Sequence, residues 1–389
     1  MRKIKLDIAI FWDRIGGITE AKLAGEEVRH LNKLGIDAEL LLIEQQIPAK
    51  FKDFLYDLKI DALESQVPKI FRVNFRIPGF SFFSLSHLTS PLYSPLVLRR
   101  KYDIIISHGT FACFTARNLR KYRGLPYLAH IWDPISYILQ KAYVQSPIYH
   151  FQKILVPLGT SLDRLILEEA EAIILPSKYH MNRMGKLTEK SIEVVYPGVN
   201  SATKVPSKRD DYILAVARWE RGKKPFFLLA LLEGLKKRGT RATLVMVGRW
   251  KTQRIRESFF REAKSRNVLN QIINLKEIDE TTLSRYYFGA RMLVHPITES
   301  FGMIGLEAAA HGAPIIIPKR SGVTDLFNDG VHGFFPEEED LDSFVEHAEI
   351  LLSNERRAWK MGFDAWQVAR KYTWTNHARR LYEVVKKYI

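Results

Sequence analysis

The chain has 389 residues, 46% of them hydrophobic, which is long enough for two cores and too apolar for general disorder. Its 59 Lys and Arg against 43 Asp and Glu leave a net charge of +16, an attraction for a polyphosphate substrate, an anionic membrane surface or nucleic acid. A single cysteine, Cys113, excludes an internal disulfide, no zinc-finger, RNP or helix-turn-helix signature marks a nucleic-acid binder, and no apolar run reaches bilayer-spanning length.

In chain order, MRKIKLDIAIFW runs into Asp13 and Arg14 with no small-residue cleavage site, so Ile4 to Trp12 reads as a first strand and not a signal peptide. The expected location is cytoplasmic, peripheral at the inner face of the membrane if the basic surface meets lipid. A loop, Asp13 to Gly17, precedes a helical pattern from Ile18 to Leu34, closed by Gly35, and a second strand from Asp37 to Ile43. Strand, helix, strand with a right-handed crossover predicts a parallel sheet. Gly16 and Gly17 let a ligand approach the backbone at the carboxyl end of the first strand, where open α/β sheets bind ligands, although the G-x-G-x-x-G dinucleotide spacing is absent.

From Pro48 to Arg100, Lys50, Lys52, Lys59, Lys69, Arg72, Arg76, Arg99 and Arg100 interleave with Phe51, Phe54, Phe71, Phe75, Phe80, Phe82 and Phe83. That pattern fits an anionic membrane interface, and equally a sheet edge covered by snorkelling lysines. Tyr102 to Ser107 is a buried strand ending at His108, a helix runs to about Arg123, and a strand from Leu125 to Ala129 ends at His130. Ile138 to about Glu169 reads as helix broken at Pro147 and Pro157, and Ala170 to Leu175 as a strand followed by Ser177, a helix N-cap. Domain one therefore spans 1–200, and the polar stretch Ser201 to Asp211 is the linker.

The second half, 212–373, restarts the pattern with a strand from Tyr212 to Ala217, the cationic loop Arg218 to Pro225 and a helix from about Phe226 to Arg238. A cationic loop at a strand's carboxyl end is suited to a diphosphate, whose oxygens an arginine can take two at a time. Further on, His295 to Pro318 reads as loop, helix, turn, strand, with Glu299 in the loop and Glu307 inside the helix. If the helix begins near Gly302, Glu307 lies roughly 7 Å along the axis from the free amides of Phe301, Gly302, Met303 and Ile304. Those amides and the helix dipole favour phosphate oxygens. A diphosphate there would leave Glu307 one ribose away and Glu299 on the other side, an arrangement that suits a nucleotide sugar; an ordinary αβ unit with solvated acids is the alternative. The tail from Asp340 to Ile389 is helical, with Trp359, Trp366 and Trp374 as apolar anchors. No H-E-x-x-H, paired cysteines or Asp-x-Asp after a strand is present, so no metal and no other cofactor is expected.

Glu299, seven residues, Glu307, with Ser300-Phe301-Gly302 after the first acid and Ala308-Ala309-Ala310-His311-Gly312-Ala313-Pro314 after the second, resembles the donor-site signature of glycosyltransferase family 4 (GT4, glycosyltransferase group 1). The resemblance covers nearly the whole chain. It implies an α/β protein of GT-B fold: two Rossmann-like doubly wound domains facing across a cleft, with a C-terminal helix, about 374–389, crossing back to the first domain. It further implies that His130 contacts the transferred sugar, Arg218 and Lys223 neutralise the leaving diphosphate, Glu299 binds sugar hydroxyls and Glu307 the ribose, and that Gly16-Gly17 forms an acceptor-side loop. Lys224 and Pro225 stand where the family usually has glycine, which leaves the choice between Lys223 and Lys224 open. The implied activity is retaining transfer of a hexose from a UDP- or GDP-sugar, without a metal, to a hydroxyl acceptor, and a lipid-linked glycan would suit the basic aromatic stretch. A GT-B sugar phosphorylase, a nucleotide-sugar epimerase, or a non-catalytic basic membrane-surface or anion-binding protein are the rival readings; the last would need neither Glu299 nor Glu307.

Overall fold

Strand β1 (Asp7–Trp12) alternates Ile8, Ile10 and Trp12 against one face of its sheet and Ala9 and Phe11 against the other, all of them buried. A strand apolar on both faces is what a parallel sheet with helices on each side requires. The computed structural model describes residues 6–13, 18–44, 55–66, 85–141 and 154–389. The Gly16-Gly17 loop and, within the basic aromatic stretch, residues 48–54 and 67–84 lie outside the described residues.

The remaining strands of the first unit are β2 (Asp37–Leu42), β3 (Ile60–Ala62), β4 (Ile104–His108), β5 (Tyr127–His130), β6 (Ala172–Leu175) and β7 (Ile192–Val194), in the order β3-β2-β1-β4-β5-β6-β7. All pairings are parallel, with Ile8 opposite both Ala38 and Ile104. The sheet reverses its order of addition between β1 and β4, which opens a crevice at their carboxyl ends. One face packs on the helix Ile18–Lys33 through Ala21, Ala24, Val28 and Leu31. The C-terminal helix, Trp374–Val385, lies on that same face through Ala378, Leu381, Val384 and Val385. By its contacts the chain divides into Met1–Gly198 with Trp374–Ile389, and Val199–Thr373.

Two sequence expectations shift in detail. Pro157 stands in the first turn of the helix Val156–Glu168, where a proline gives up only an amide that has no helical partner, and Pro147 lies outside the described residues. The helix expected from Ile138 begins earlier, as Ile135–Lys141 among the described residues, and its first amides, those of Ile135 and Ser136, donate to the buried carboxylate of Asp163 at 2.9 Å each.

The second unit holds β8 (Tyr212–Val216), β9 (Thr243–Val247), β10 (Ile272–Leu275), β11 (Met292–Val294), β12 (Ile315–Ile316) and β13 (Gly333–Phe334), in the order β10-β9-β8-β11-β12-β13, again parallel throughout. Here the order reverses between β8 and β11. The linker side is fastened by indole hydrogen bonds: Trp359 donates to the Pro206 carbonyl and Trp366 to the Ala202 carbonyl, each at 2.9 Å. Buried Arg209 spreads its guanidinium over the carbonyls of Phe288, Ala290 and Gly312, so a charge in the interior is held by fixed dipoles. Among the described residues, no helix is long and apolar enough to cross a membrane.

At the first crevice Gly109 has φ 88°, and a Cβ there would stand 2.3 Å from Oδ2 of Asp13, whose carboxylate caps the helix Thr110–Arg123 through the Phe111 amide at 3.1 Å. Gly109→Ala should therefore cost about 1–3 kcal/mol, read as a lowered thermal midpoint. Gly124→Ala, at φ 66° with open space around it, should lose only the left-handed backbone penalty of about 1–2 kcal/mol.

Candidate functional site

Both sides of the β8/β11 reversal carry charge. Arg218 follows β8 by two residues, and the short 3-10 turn Arg221–Lys223 leads into the helix Pro225–Lys237. On the neighbouring strand, β11 exits into His295 and then Glu299. Because β8 and β11 are parallel neighbours, the two loops emerge at the same edge of the sheet. The Lys223 ammonium bonds Oε1 of Glu299, and Nε2 of His295 stands 3.5 Å from the same oxygen. Burial by itself would raise the Glu299 carboxyl, but the Lys223 ammonium and His295 beside it outweigh that and hold it well below the ordinary carboxylate range. Glu299 is thus an anion whose side chain remains 24% exposed. Its loop is pinned by its own carbonyl, which accepts the Gly322 amide at 3.0 Å.

The neighbouring lysine turns elsewhere. Lys224 sits at φ 48° and ψ 48°, a left-handed conformation in which glycine is at ease, and its ammonium reaches Glu338 at 2.7 Å and Glu339 at 2.8 Å. Lys223 thus joins Glu299, and Lys224 joins the outer acids Glu338 and Glu339. Arg218 is half-exposed and leans on Glu220, 3.3 Å away, which also takes Lys251 at 2.5 Å.

The helix beginning at Met303 and ending at Ala310 starts from Gly302, which lies at φ 94°. The amides of Met303 and Ile304 have no acceptor among the described residues, as expected in a helix's first turn. Phe301 contributes no open side chain: its ring is fully buried and its carbonyl accepts the Val323 amide at 2.6 Å. Further along the helix, Oε2 of Glu307 accepts the Tyr287 hydroxyl at 3.0 Å, and the Tyr287 ring stacks on His311 with centroids 5.6 Å apart. Burial and the Glu307 charge push the Tyr287 phenol well up, so it stays a donor. Sequence reasoning named neither Tyr287 nor His295 as a partner; their contacts cross between elements distant in the chain.

His130 ends β5, as read from sequence, and its side chain is wholly buried. It lies beside His108, ring centroids 4.5 Å apart, above the carboxylate of Glu27, which is also wholly buried. Oε2 of Glu27 is 2.7 Å from Nε2 of His108, and Oε1 is 3.0 Å from Nε2 of His377. Burial would raise the Glu27 carboxyl, yet His108 and the other imidazoles hold it well below its ordinary value, and burial with His108 alongside pushes His130 down to about 4. Both His130 ring nitrogens lack a hydrogen-bond partner among the described residues, a condition that costs about 1–3 kcal/mol per buried polar group. Glu27 and His377 were missed, although a signal existed: each falls on the apolar face of its helix, three residues after buried Ala24 and Trp374 respectively.

Comparison with known proteins fits this architecture. The Glycosyltransferase Family 4 model matches residues 22–203 and the Glycosyl transferases group 1 model residues 200–365. An uncharacterized glycosyltransferase of Methanocaldococcus jannaschii is 24% identical over 308 residues, 74% of this chain and 75% of that one. A D-inositol 3-phosphate glycosyltransferase of Corynebacterium kroppenstedtii is 27% identical over 103 residues, 26% of this chain and 23% of that one. Among solved structures, sucrose-phosphate synthase from Thermosynechococcus elongatus superposes with a TM-score of 0.78 at 16% identity, covering 98% of this chain and 99% of that one. Anabaena HepE, in complex with UDP and glucose, superposes with a TM-score of 0.73 at 15% identity, covering 98% and 100%. With two parallel Rossmann-like sheets and these matches, the chain belongs to the family 4, group 1 glycosyltransferases of GT-B fold, enzymes that transfer sugar from a nucleotide sugar.

Proposed function

We propose that the protein moves a hexose from a UDP- or GDP-sugar to a hydroxyl acceptor with retention at the anomeric carbon. The observation that carries this reading is the Lys223–Glu299 pair beside the open amides of Met303 and Ile304, at the sheet's order reversal. An ammonium has three donors, so Lys223 can keep Glu299 and still reach a phosphate oxygen. Met303 and Ile304 amides take the diphosphate at the positive end of their helix, and Arg218, half-exposed and held at 3.3 Å by Glu220, swings to the same charge.

Glu299, ionised, accepts from sugar hydroxyls, and Glu307, oriented by Tyr287, accepts from the ribose hydroxyls. In the reaction the anomeric carbon–phosphate oxygen bond breaks, the acceptor oxygen bonds the same face of that carbon, and the acceptor proton passes to the leaving phosphate. The charge that develops on the diphosphate is met by fixed cations and amides, so no divalent ion is needed in the step. A lipid-linked acceptor and an anionic membrane surface remain parts of the proposal that rest on the basic aromatic stretch of residues 48–100 and the +16 charge.

A donor-hydrolysis screen over UDP-, GDP- and ADP-sugars, begun with UDP-glucose because HepE was solved with UDP and glucose, tests the class; NMR of the product's anomeric configuration tests retention, and an inverted product would sink that part. Arg218→Ala and Glu299→Ala should each lower kcat/KM by about 100-fold or more with folding kept. Near-normal rates in both would refute the site. Lys223→Ala should share that loss while Lys224→Ala keeps near-native turnover, and the reverse ranking would reassign the diphosphate lysine.

The Glu299 charge also sets a pH signature. Its folded pKa lies below the ordinary 4.5, so the unfolded chain takes up the proton first, and the stabilisation is complete above that value and lost as pH falls below it. The stability gap between the native protein and Glu299→Gln, followed by urea unfolding, should be widest near neutral pH and narrow below about pH 4.5. A gap independent of pH would show that the carboxylate's charge contributes nothing.

A further inference from the structure

The helix Leu85–Val97 packs on the first unit with its polar and apolar side chains exchanged. Ser90 and Ser94 are wholly buried, whereas Leu92 and Leu96 are 73% and 85% exposed. Residues two apart on a helix point about 200° apart, so the serines line one face and the leucines the opposite one. Water favours the reverse arrangement, and an exposed apolar face is the informative departure from it.

The buried face accounts for the serines. Ser90 shares a hydroxyl hydrogen bond with Thr115 of the helix Thr110–Arg123 at 2.8 Å. Pro95 has no amide to give the Pro91 carbonyl, which accepts from the Asn118 side chain at 2.8 Å instead. Tyr93 and Val97 complete this side by packing against the core. The Leu98 carbonyl then accepts from the Arg123 guanidinium, so the contacts run in step and the two helices lie side by side in the same direction. Tyr122 follows Asn118 by one turn on the same stripe, which sets it, 64% exposed, at the level of Pro95 and Leu96.

Charge is distributed to match. The helix Leu85–Val97 carries no carboxylate, lysine or arginine, and cations gather where the two helices end, at Arg99, Lys101, Lys121 and Arg123, all exposed. Arg100 turns inward to Glu39 and Arg120 to Glu171, but none of those four is in an ion pair among the described residues. Asp103, the nearest acid in sequence, spends its carboxylate on the Asp7 amide at 2.8 Å. The Lys121 ammonium stands 5.3 Å from the centroid of the Tyr122 ring. Leucines and a tyrosine bordered by unpaired cations are complementary to lipid: the apolar groups enter the acyl boundary while the charges meet phosphates. A second copy of the chain is the poorer occupant, since a two-fold contact would bring the same excess of cations to both sides.

We propose that the face formed by Leu92, Leu96 and Tyr122, with Arg99, Lys101, Lys121 and Arg123 at its end, docks the protein on an anionic phospholipid surface. This rests on the membrane part of the proposed function and gives it a place, on two packed helices of which Lys121, Tyr122 and Arg123 lie outside the basic aromatic stretch of residues 48–100.

The test is co-sedimentation of the full chain with vesicles of phosphatidylcholine alone and of phosphatidylcholine mixed with phosphatidylglycerol. Binding should be confined to the mixed vesicles and should weaken as salt is raised. Leu92→Ser with Leu96→Ser, which removes side chains that stand in solvent, should weaken it by about tenfold or more. Lys101→Glu with Lys121→Glu should weaken it by about tenfold or more as well, and flatten the salt dependence. Absence of binding to the mixed vesicles at low salt overturns the proposal, as does unchanged binding in either variant. A concentration-dependent dimer that the leucine variant abolishes, with no vesicle binding, overturns it by giving the face to a second copy. Donor hydrolysis measured on the same preparations keeps the two readings apart: a chain that hydrolyses a nucleotide sugar but ignores vesicles sinks the docking face alone, and one that binds vesicles but hydrolyses no donor upholds the face while the transfer reaction fails.

Discussion

Everything functional in this chain follows from the way a doubly wound parallel sheet is filled. Strands are added outward from the centre first on one side and then on the other, so the loops after the two central strands diverge and leave a crevice at the carboxyl edge. In the second unit those strands are β8 and β11, and the loops carry Lys223 and Glu299. In the first they are β1 and β4, and the crevice residues are Asp13, Gly109 and, just below, His108. Buried strands such as Ile104–Ile106 and Leu293–Val294 make this edge rigid, so charged groups placed on it hold their positions without spending conformational entropy at the moment of binding.

The two crevices handle a glutamate in opposite ways. Glu299 stays partly open, with an ammonium on one oxygen and a histidine nearby, and so remains an ionised acceptor within reach of a ligand. Glu27 is sealed under three imidazoles, where a carboxylate is tolerable only if positive or strongly polar neighbours surround it. The first arrangement is fit for binding and release, because solvent can replace a departing ligand. The second is fit for permanence, and it draws in His377 from the far end of the sequence.

Lys224 stands in a turn where glycine is at ease. A lysine in the left-handed region costs about 1–2 kcal/mol where glycine would cost nothing. Its side chain recovers part of this through Glu338 and Glu339, and the tight turn still delivers Lys223 to Glu299 and Pro225 to the first position of the next helix.

Much of this was legible from residues alone. Apolar runs such as Ile104–Ile106 and Ile173–Ile174, broken at regular intervals by helical patterns, determine parallel strands because only burial on both faces suits them. The Glu299-to-Glu307 spacing, with Gly302 and Gly305 between, marked a helix starting just after Gly302, since local chain geometry sets where such acids fall relative to free amides. Which lysine serves Glu299, that Tyr287 steadies Glu307, and that His130 lies buried beside Glu27 were decided only by tertiary structure. Those outcomes depend on side chains 76, 20 and 103 residues apart meeting across packed elements, and on how much water the packing leaves, neither of which a local pattern contains.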